Sequence, residues 1–595
     1  MKTVYLIFLK KAKTITLKVC QRHGLYKKGN TRGRTMKRNS IFKRITMLSI
    51  VSVMTVSLVA CVEKEPSNAS DSASENGEKV IKMGRVTSAN PKLPEGDTYE
   101  DNAYTRLVEE KLGAKIVNAF EGEGEDYTRQ VALAISSGEL PDMMRVDSRE
   151  ELKELVENDL IADLSDVYDE NASDYIKDIY NSYDGRSIED ASFDGRLMAL
   201  PATIGDEAPN MIWIRKDWTE KLGLEVDADG DRLITLDELE KTAKAFIEKD
   251  PGGTGNPIGI PMAYWLNSGS YGGSALNMTS IAGIFNAYPR FWLEDENGNI
   301  TNGSITEGTK QALGVLSDWY KEGILDPQFG TRTWDDIMAL VTNGQTGIVT
   351  GPWHIPDWGL STVRERDKNA NFEAYALEDE NGKVNVAHTN PTGAFIVVRK
   401  DYEHPELAIE ILNLFYDELA NSKDLVTDYP EVAEYKELGV DGSTRPFNIE
   451  VLKSDNLLFD YSNIMGAVNG EIEMEEIASS EARDAATSIM KYTENPTEAD
   501  TADWSKYHSR VKGMGLIDKL TKEDKFNWVT PVYFGNTETL EKKGANLLKL
   551  EEEDFIKIVT GAEPLDYFDT FVSNWKSQGG DEIIAEIEEV LAEEE

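Results

Sequence analysis

An alternation of apolar runs with amphipathic stretches begins at residue 80 and constrains the fold more than any other feature. The predicted strands are 80–86, 115–120 and 142–146, and the predicted helices between them are 101–113 and 127–137. A capping box of Ser148 and Glu151 predicts that another helix follows the third strand. This β-α-β-α-β-α order is typical of a parallel sheet covered by helices.

The first 60 residues have the composition of an export signal. They contain 14 Lys and Arg residues and no Asp or Glu, and an apolar run over 45–60 ends at Cys61. A basic stretch, an apolar run and small residues at a cleavage point are typical of a secretory signal. The segment Leu58-Val59-Ala60-Cys61 resembles the lipobox of bacterial lipoproteins. The resemblance implies that Cys61 becomes the first mature residue and carries the lipid.

Two alternatives to a lipoprotein signal are a transmembrane helix and a buried cysteine. The run is shorter than the about 20 apolar residues that span a bilayer, which disfavours the helix. Acyl chains on Cys61 can hold a soluble domain at a membrane. We therefore expect translation to begin at Met36, and the mature chain to be lipid-anchored at the extracellular face of a bacterial cell membrane.

The mature chain is strongly acidic. Removal of the 14 positive charges in residues 1–60 lowers the formal net charge from −44 to −58. A field of this sign repels nucleic acid and anionic lipid headgroups, and it disfavours the steering of anionic ligands unless a local basic pocket overrides it. We therefore expect no nucleic-acid partner, and we interpret the acidity as a source of solubility in a monomer.

The cysteine count leaves the fold without disulfides. Cys20 lies in the removed segment and Cys61 is used for lipid, so an exported chain of this length must be held by its hydrophobic cores. Its length exceeds that of one core and predicts two lobes. The segment 195–222 predicts a first crossing between them, and strands at 346–351 and 393–400 bracket a second crossing. Residues 430–595 are mostly helical in pattern.

Several blocks in order resemble extracellular solute-binding proteins (family 1 type) of carbohydrate ABC importers. The blocks are ALAISSGELPDMMRV (132–146), GRLMALP (195–201), MIWIRKDWTEKLGL (211–224), TGIVTGPWHIPDW (346–358) and HPELAIEILNLFYD (404–417). The tail over 532–582 resembles the long lipoprotein form that binds aldouronates or oligosaccharides. Together these blocks span most of the mature chain.

The resemblance implies an α/β, periplasmic-binding-protein-like two-lobe fold (type II). Each lobe is then expected to be a mostly parallel sheet flanked by helices, with an extended helical carboxyl-terminal region. The expected organisation is a signal over 1–60, a flexible tether over 61–79, lobe 1 over 80–201 plus about 385–425, and lobe 2 over about 202–384 plus 426–595. The implied role is non-catalytic: ligand is held between the lobes and passed to permease subunits in the membrane.

A sugar needs aromatic platforms for its C–H faces and planar polar groups for its hydroxyls. Trp353 in Gly351-Pro352-Trp353 is the leading platform, because the family block contributes an aromatic to the cleft. The other candidate ligand-binding residues are Trp265, Phe291, Trp292, Trp334, Asp357, Trp358, Asp206, Glu207 and Asn390. The alternative for each aromatic is a place in the core, which we expect for Trp213. An acidic sugar would also need an arginine, for which Arg215 and Arg290 are candidates.

A second pattern, over 227–238, has the oxygen spacing of a calcium loop. Asp227, Asp229 and Asp231 alternate, Leu233 offers its carbonyl, and Glu238 stands where such loops bind bidentately. Arg232 replaces the usual glycine of these loops. The alternatives are a solvated turn and a capping box of Thr235 with Glu238. We expect a structural Ca²⁺ here, and not at the Asp250 loop, which resembles a second family metal loop but lacks further carboxylates.

The sequence leaves other functions open. A sensor partner that presents ligand to a receptor has the same pattern, as does a binding protein for a peptide. A secreted polysaccharide hydrolase would need two carboxylates about 5–10 Å apart across a sugar. The sequence lacks GxxxxGK[ST], HExxH, CxxC and Gly-x-Ser-x-Gly, and we expect no enzyme activity.

Overall fold

A computed structural model describes residues 79–90, 92–205, 208–262, 277–295, 297–477 and 479–594. All of these residues belong to a single compact unit. The predictions for the signal, the tether and the lipidated Cys61 lie outside the described residues.

The strands are short, and most of them lie in two sheets. In chain order they are β1 Lys79–Val86, β2 Ala114–Gly122, β3 Met143–Val146, β4 Ser192–Phe193, β5 Arg196–Leu197, β6 Leu200–Pro201, β7 Met211–Arg215, β8 Leu233–Ile234, β9 Trp292–Glu294, β10 Ile300–Asn302, β11 Ile348–Gly351, β12 Phe372–Leu377, β13 Val384–Ala387, β14 Phe395–Val398 and β15 Phe526–Val529.

The α-helices cover these strands on their outer faces. In chain order they are α1 Ala103–Leu112, α2 Glu125–Ser137, α3 Arg149–Glu157, α4 Ser165–Asn171, α5 Asp174–Asn181, α6 Arg186–Asp190, α7 Lys216–Leu222, α8 Leu236–Lys249, α9 Thr279–Ile284, α10 Glu307–Glu322, α11 Trp334–Thr342, α12 Ser361–Arg366, α13 Glu406–Asn413, α14 Leu425–Asp428, α15 Pro430–Leu438, α16 Asn456–Val468, α17 Ser480–Glu494, α18 Thr501–Lys506, α19 Gly515–Lys522, α20 Glu538–Val559, α21 Tyr567–Trp575 and α22 Asp581–Glu594. Wider helical turns occur at Pro356–Leu360, Leu414–Glu418, Tyr507–Met514 and Lys576–Gly580.

The first sheet has the order β2-β1-β3-β14-β6. Strand β1 pairs in parallel with β2 and β3, whereas β14 runs antiparallel to β3 and β6. The three predicted strands and two predicted helices of this region are confirmed within a few residues. Ser148 accepts the backbone N–H of Glu151 and opens α3 as predicted. The parallel pairing follows because each helix returns the chain to the same edge of the sheet.

The second sheet has the order β11-β7-β12-β8, and it differs from the expected parallel sheet. Strand β7 runs antiparallel to both β11 and β12, and only β12 and β8 pair in parallel. All five residues of β7 are buried, as a central strand with both faces covered requires. Trp213 in β7 is fully buried, which confirms its expected place in the core. The α/β two-lobe fold class is thus confirmed, but both sheets are mixed and not mostly parallel.

Separate hydrophobic cores lie around the two sheets. One cluster joins residues of 81–202 with residues of 394–451 around the first sheet. A second cluster packs the second sheet against the carboxyl-terminal helices α20, α21 and α22, and a third covers its other face. Val432 and Tyr435 of α15 belong to the first cluster. Both residues follow residue 425, the expected end of lobe 1. The exact lobe boundaries stay a prediction.

Chain segments connect the two sheets at three places, whose described residues are 202–205 with 208–210, 388–394 and 445–457. The first and third lie side by side, since Thr203 N–H donates to the Glu450 carbonyl at 2.8 Å and Leu457 N–H donates to the Gly205 carbonyl at 3.0 Å. The Thr203 hydroxyl also donates to the Leu452 carbonyl at 2.8 Å. These bonds bind the crossing segments into a short ribbon. Among the described helices, none is both long enough and apolar enough to cross a membrane.

Candidate functional site

A cavity of about 210 Å³ lies where the second sheet meets the crossing segments. Residues of 208–210, 277–291 and 384–389 line it, together with Pro352 after β11 and Leu377 at the end of β12. It is smaller than the about 300–1,000 Å³ of typical ligand pockets. The volume suits one part of a larger ligand, such as a single sugar ring.

Amide side chains in the cavity wall are held by hydrogen bonds. Asn277 Oδ1 accepts the Thr279 hydroxyl at 2.7 Å and the Thr279 N–H at 3.1 Å. Asn385 Nδ2 donates to the Gly283 carbonyl at 3.0 Å and to Asp379 Oδ2 at 3.1 Å. These bonds fix the planar groups before a ligand arrives, which lowers the entropy cost of binding.

Aromatic and small polar groups complete the wall. The Tyr288 hydroxyl donates to Asn286 Oδ1 at 2.6 Å, and burial raises the pKa of Tyr288, so the hydroxyl is neutral. Phe291, a predicted ligand-binding residue, lines the cavity. Ser280 donates its hydroxyl to the Asn210 carbonyl at 3.1 Å. The wall thus combines apolar rings with neutral hydrogen-bonding groups.

Trp353 directly follows the cavity residue Pro352. Its half-buried ring is stacked on the His354 ring with centroids 4.8 Å apart, and the Arg510 guanidinium lies 5.0 Å from the ring centroid. Gly513 packs so closely that an added Cβ would lie 2.6 Å from the Trp353 carbonyl oxygen. The loop therefore holds this aromatic in a defined orientation directly after Pro352, although Trp353 itself is not among the described residues that line the cavity.

Asp357 is engaged by cations and a hydroxyl. Its carboxylate accepts the Ser509 hydroxyl at 2.9 Å, lies 3.3 Å from Lys506 Nζ and also pairs with Arg510. The residue therefore fixes Arg510 under Trp353 and positions the platform. Its predicted contact with ligand is not tested by this arrangement.

The remaining predicted residues are dispersed. Trp334 and Trp358 are half-buried, with rings 4.8 Å apart, and pack on the same core cluster as Trp353. Trp292 is only 7% exposed and packs on Trp575 at 6.2 Å, within the core. Asn390 Oδ1 accepts the Thr392 N–H at 2.9 Å in the second crossing. The predictions for Trp265, Asp206 and Glu207 lie outside the described residues.

Both candidate arginines for an acidic sugar are held by carboxylates of the protein. Arg215 Nη2 donates to Asp217 at 2.6 Å and to Asp367 at 2.9 Å. Arg290 Nε donates to Glu551 at 2.8 Å, and Arg290 Nη2 donates to Glu552 at 3.3 Å. Their charges are balanced within the fold.

Sequence reasoning missed the amides of the cavity and one aromatic near it. Asn210, Asn277 and Asn385 line the cavity, and Trp528 of β15 stacks on His388 at 4.7 Å beside β13. A signal for part of this wall was present, because residues 251–289 contain no charged side chain in a chain with 29% charged residues. An asparagine alone carries no such signal.

The loop over 227–238 brings three carboxylates together. One oxygen from each of Asp227, Asp229 and Asp231 lies within 4.8 Å of the others. Burial and the neighbouring carboxylates raise the pKa of Asp227. Glu238 Oε2 accepts the N–H and hydroxyl of Thr235, so the alternative capping box is also present.

The loop fits a hard cation in two further respects. Arg232 has a φ of 68°, the left-handed backbone that the usual glycine supplies, and its guanidinium donates to the Lys512 carbonyl at 2.9 Å. The carbonyls of Arg232 and Ile234 accept N–H groups of β12 and its next residue. Because carbonyls alternate along a strand, that of Leu233 points away from β12. These donors suit Ca²⁺, which prefers carboxylate and carbonyl oxygens.

Comparison with known proteins agrees with this architecture. A model of the family "Bacterial extracellular solute-binding protein" matches residues 90–420. The lipoprotein LipO of Bacillus subtilis is 23% identical over 89% of this chain and 95% of its own length. The fructooligosaccharide ABC transporter substrate-binding protein FusA of Streptococcus pneumoniae is 23% identical over 56% of this chain and 61% of FusA. The polygalacturonan/rhamnogalacturonan-binding protein YtcQ of B. subtilis is 22% identical over 70% of this chain and 75% of its own length.

A solved structure supports the same fold. The structural match to the S. pneumoniae FusA EF-hand mutant in complex with fructo-nystose spans 87% of this chain and 99% of the FusA chain. The TM-score is 0.51 at 16% identity. At this identity the likeness concerns the fold, and the site must be argued from this chain's own residues.

Proposed function

Because this chain belongs to the family of bacterial extracellular solute-binding proteins, we propose that it captures an oligosaccharide or modified sugar and delivers it to an ABC importer. The observation that carries the proposal is the cavity that includes Pro352, the residue before Trp353, and that joins neutral hydrogen-bonding groups and aromatic rings at the crossing segments. Hydroxyls and C–H faces of a sugar need this combination. The printed descriptions of FusA and YtcQ as carbohydrate-binding proteins support it.

Capture is coupled to delivery through the crossing segments. In this proposal the 203–205 and 450–457 segments act as a hinge, and a ligand that contacts both lobes stabilises the closed state. A ligand shifts such an equilibrium only by its difference in affinity for the two states. The permease then recognises the closed form. Cys61, if lipidated as proposed, keeps the protein at the extracellular face of the membrane.

Calcium has a structural role in this proposal. Asp227, Asp229, Asp231, the Leu233 carbonyl and Glu238 hold the ion, which neutralises the clustered carboxylates and fixes the start of α8. The fit of the loop and the EF-hand of FusA support the assignment. The ion takes no part in chemistry, because the proposed function is binding alone.

Calorimetry with a panel of oligosaccharides tests the proposed function. We expect saturable binding of at least one sugar, together with a smaller radius of gyration by X-ray scattering. Binding of peptides with no response to any sugar would assign the protein to another ligand class. Release of reducing ends from a polysaccharide would contradict a non-enzymatic role.

A further inference from the structure

The described side chains that line the cavity are uncharged. Among the described residues that line it, none is Asp, Glu, Lys, Arg or His. Charged residues make up 29% of the chain, and the mature chain is strongly acidic. An uncharged patch of this extent at the crossing segments is therefore a feature of the site and not of the surface in general.

The sequence carries the same feature independently of the cavity. Residues 251–289 form one continuous run without a charged side chain, and the part over 277–289 supplies one wall. The run is rich in Gly, Ser and Asn and includes aromatic residues. Such a composition offers hydroxyls, amides and rings to a ligand while avoiding ionic partners.

Arg510, which lies over the Trp353 ring, and Lys506, which shares its partner Asp357, are already paired. Arg510 and Lys506 both contact Asp357, and Arg510 also contacts Glu481 at 3.0 Å. Arg215 and Arg290 are held by four carboxylates. An anionic ligand would have to compete with these internal partners for its counter-charge.

The charges close to the wall are unfavourable to an anion. Asp379 accepts a hydrogen bond from the wall residue Asn385, and its negative charge contributes to the raised pKa of Tyr288. Moving a carboxylate from water into a site without a paired cation is costly. The net charge of the protein adds a repulsion at longer range.

We propose that the solute is a neutral oligosaccharide and that this cavity discriminates against uronic acids. The inference rests on the proposed function and narrows its substrate class. The relatives do not decide the question, since fructooligosaccharides are neutral and polygalacturonan is anionic. The lining of this chain's own cavity favours the neutral class.

Calorimetry with matched sugars tests the proposal. Neutral gluco-, xylo-, galacto- and fructo-oligosaccharides of three or four rings are compared with oligogalacturonate, cellouronate and aldouronate of equal length. We expect at least one neutral sugar to bind, and every uronate to bind at least 100-fold more weakly. A uronate that binds as tightly as the best neutral sugar would overturn this inference and leave the proposed function intact. A lack of binding by every sugar would overturn the proposed function itself.

A variant that adds one cation to the wall tests the cause. Ala387→Lys places an ammonium at the cavity, and Leu133→Lys on the exposed face of α2 gives the same change in net charge as a control. We expect Ala387→Lys to raise the affinity for a uronate relative to its neutral partner by at least tenfold, whereas the control leaves the ratio unchanged. An equal ratio in both variants would contradict the electrostatic account. Thr389→Lys, at an exposed position of the same wall, repeats the test if Ala387→Lys melts early.

Discussion

At the scale of single residues, the proposed site depends on side chains that are fixed by neighbours before ligand binds. Arg510 lies under Trp353 because Asp357 holds the guanidinium, and Ser509 donates to the same carboxylate. Trp353 thus presents a ring whose orientation is set by two layers of contacts. An aromatic fixed in this way loses little rotamer freedom on binding, which favours affinity.

Replacement of Trp353 by alanine should weaken sugar binding strongly. Truncation of a central aromatic of a binding site costs about 2 kcal/mol or more, so we expect the Kd to rise roughly 30-fold. Calorimetry with the best neutral sugar measures the change, and Trp353→Phe, which keeps a ring, should lose less. An unchanged Kd in Trp353→Ala, with normal melting, would exclude Trp353 from the site.

His508 should make the protein less stable in mild acid. Burial lowers its pKa to about 3. Nδ1–H donates to the Trp504 carbonyl at 2.8 Å, and Nε2 lies 2.7 Å from the side-chain amide of Asn371, which donates to the neutral ring when its NH₂ group faces Nε2. The folded state keeps the ring neutral while the unfolded chain takes up a proton below its ordinary pKa of about 6.5. The stability from the neutral ring is therefore complete above that value and is lost as the pH falls from about 6.5 towards 3.

The difference in unfolding free energy between the protein and His508→Gln isolates this effect. The comparison also separates the effect of His508 from that of Asp460. Burial raises the pKa of Asp460 to about 6, so the contribution of Asp460 to stability falls with rising pH. We expect the wild type to lose more stability than the variant between pH 7 and pH 4.5 in urea titrations. Parallel profiles for the two proteins would contradict a buried, neutral His508.

At the scale of elements, local signals in the sequence determine much of the first sheet. Asn102 caps α1 with a capping box, and Gly113 ends it in the left-handed conformation. The apolar runs of β1, β2 and β3 are short and bounded by such signals, so their order was predictable. Strand β14 joins the same sheet in antiparallel orientation from a distant part of the sequence. No local pattern specifies that pairing.

The second sheet and the cavity illustrate the limit of local reasoning. Strand β7 is an apolar run and β12 is mostly apolar, but they are far apart in sequence. Their antiparallel pairing depends on the path of the chain between them, which no local pattern specifies. The cavity residues come from stretches between Ala208 and Thr389, and neutral amides have no pattern of their own. By contrast, the clustering of Asp227, Asp229 and Asp231 was predictable, because these aspartates alternate within one short segment.

Calcium should stabilise the loop element and with it the fold. At a free concentration 100-fold above its Kd, a bound ion adds about 2.7 kcal/mol to the free energy of unfolding. We expect EGTA to lower the melting temperature and Ca²⁺ to restore it. Asp229→Asn should abolish most of the response, whereas Asp295→Asn, in a hairpin turn elsewhere, should retain it. A melting temperature that is insensitive to EGTA and Ca²⁺ would contradict the assignment.

The first crossing has a glycine with no room for a side chain. A Cβ on Gly205 would lie 2.7 Å from Leu452 Cβ and 2.8 Å from the Lys453 carbonyl oxygen. Gly205→Ala should therefore destabilise the protein by about 1–3 kcal/mol through overpacking, as measured by urea unfolding. Gly393→Ala in the second crossing meets nothing within 4 Å and is the matched control. Equal stability of the two variants would contradict a tight ribbon at the crossings.

At the scale of the whole molecule, the proposed function depends on two cores linked by thin crossings. The two sheets are covered by separate hydrophobic clusters, so each can stay intact while their relative position changes. The cavity lies beside the crossings, and its described lining residues belong to the crossings and to the part around the second sheet. Domain junctions are frequent places for ligand sites. The uncharged lining distinguishes the cavity from the acidic remainder of the protein and favours a neutral ligand.

A crystal structure of the protein with its best-binding neutral oligosaccharide tests the proposed binding site. We expect a sugar ring in the cavity lined by Asn210, Asn277 and Asn385, with the chain of rings continuing to the face of Trp353. Sugar bound at a surface remote from both the cavity and Trp353 would contradict it.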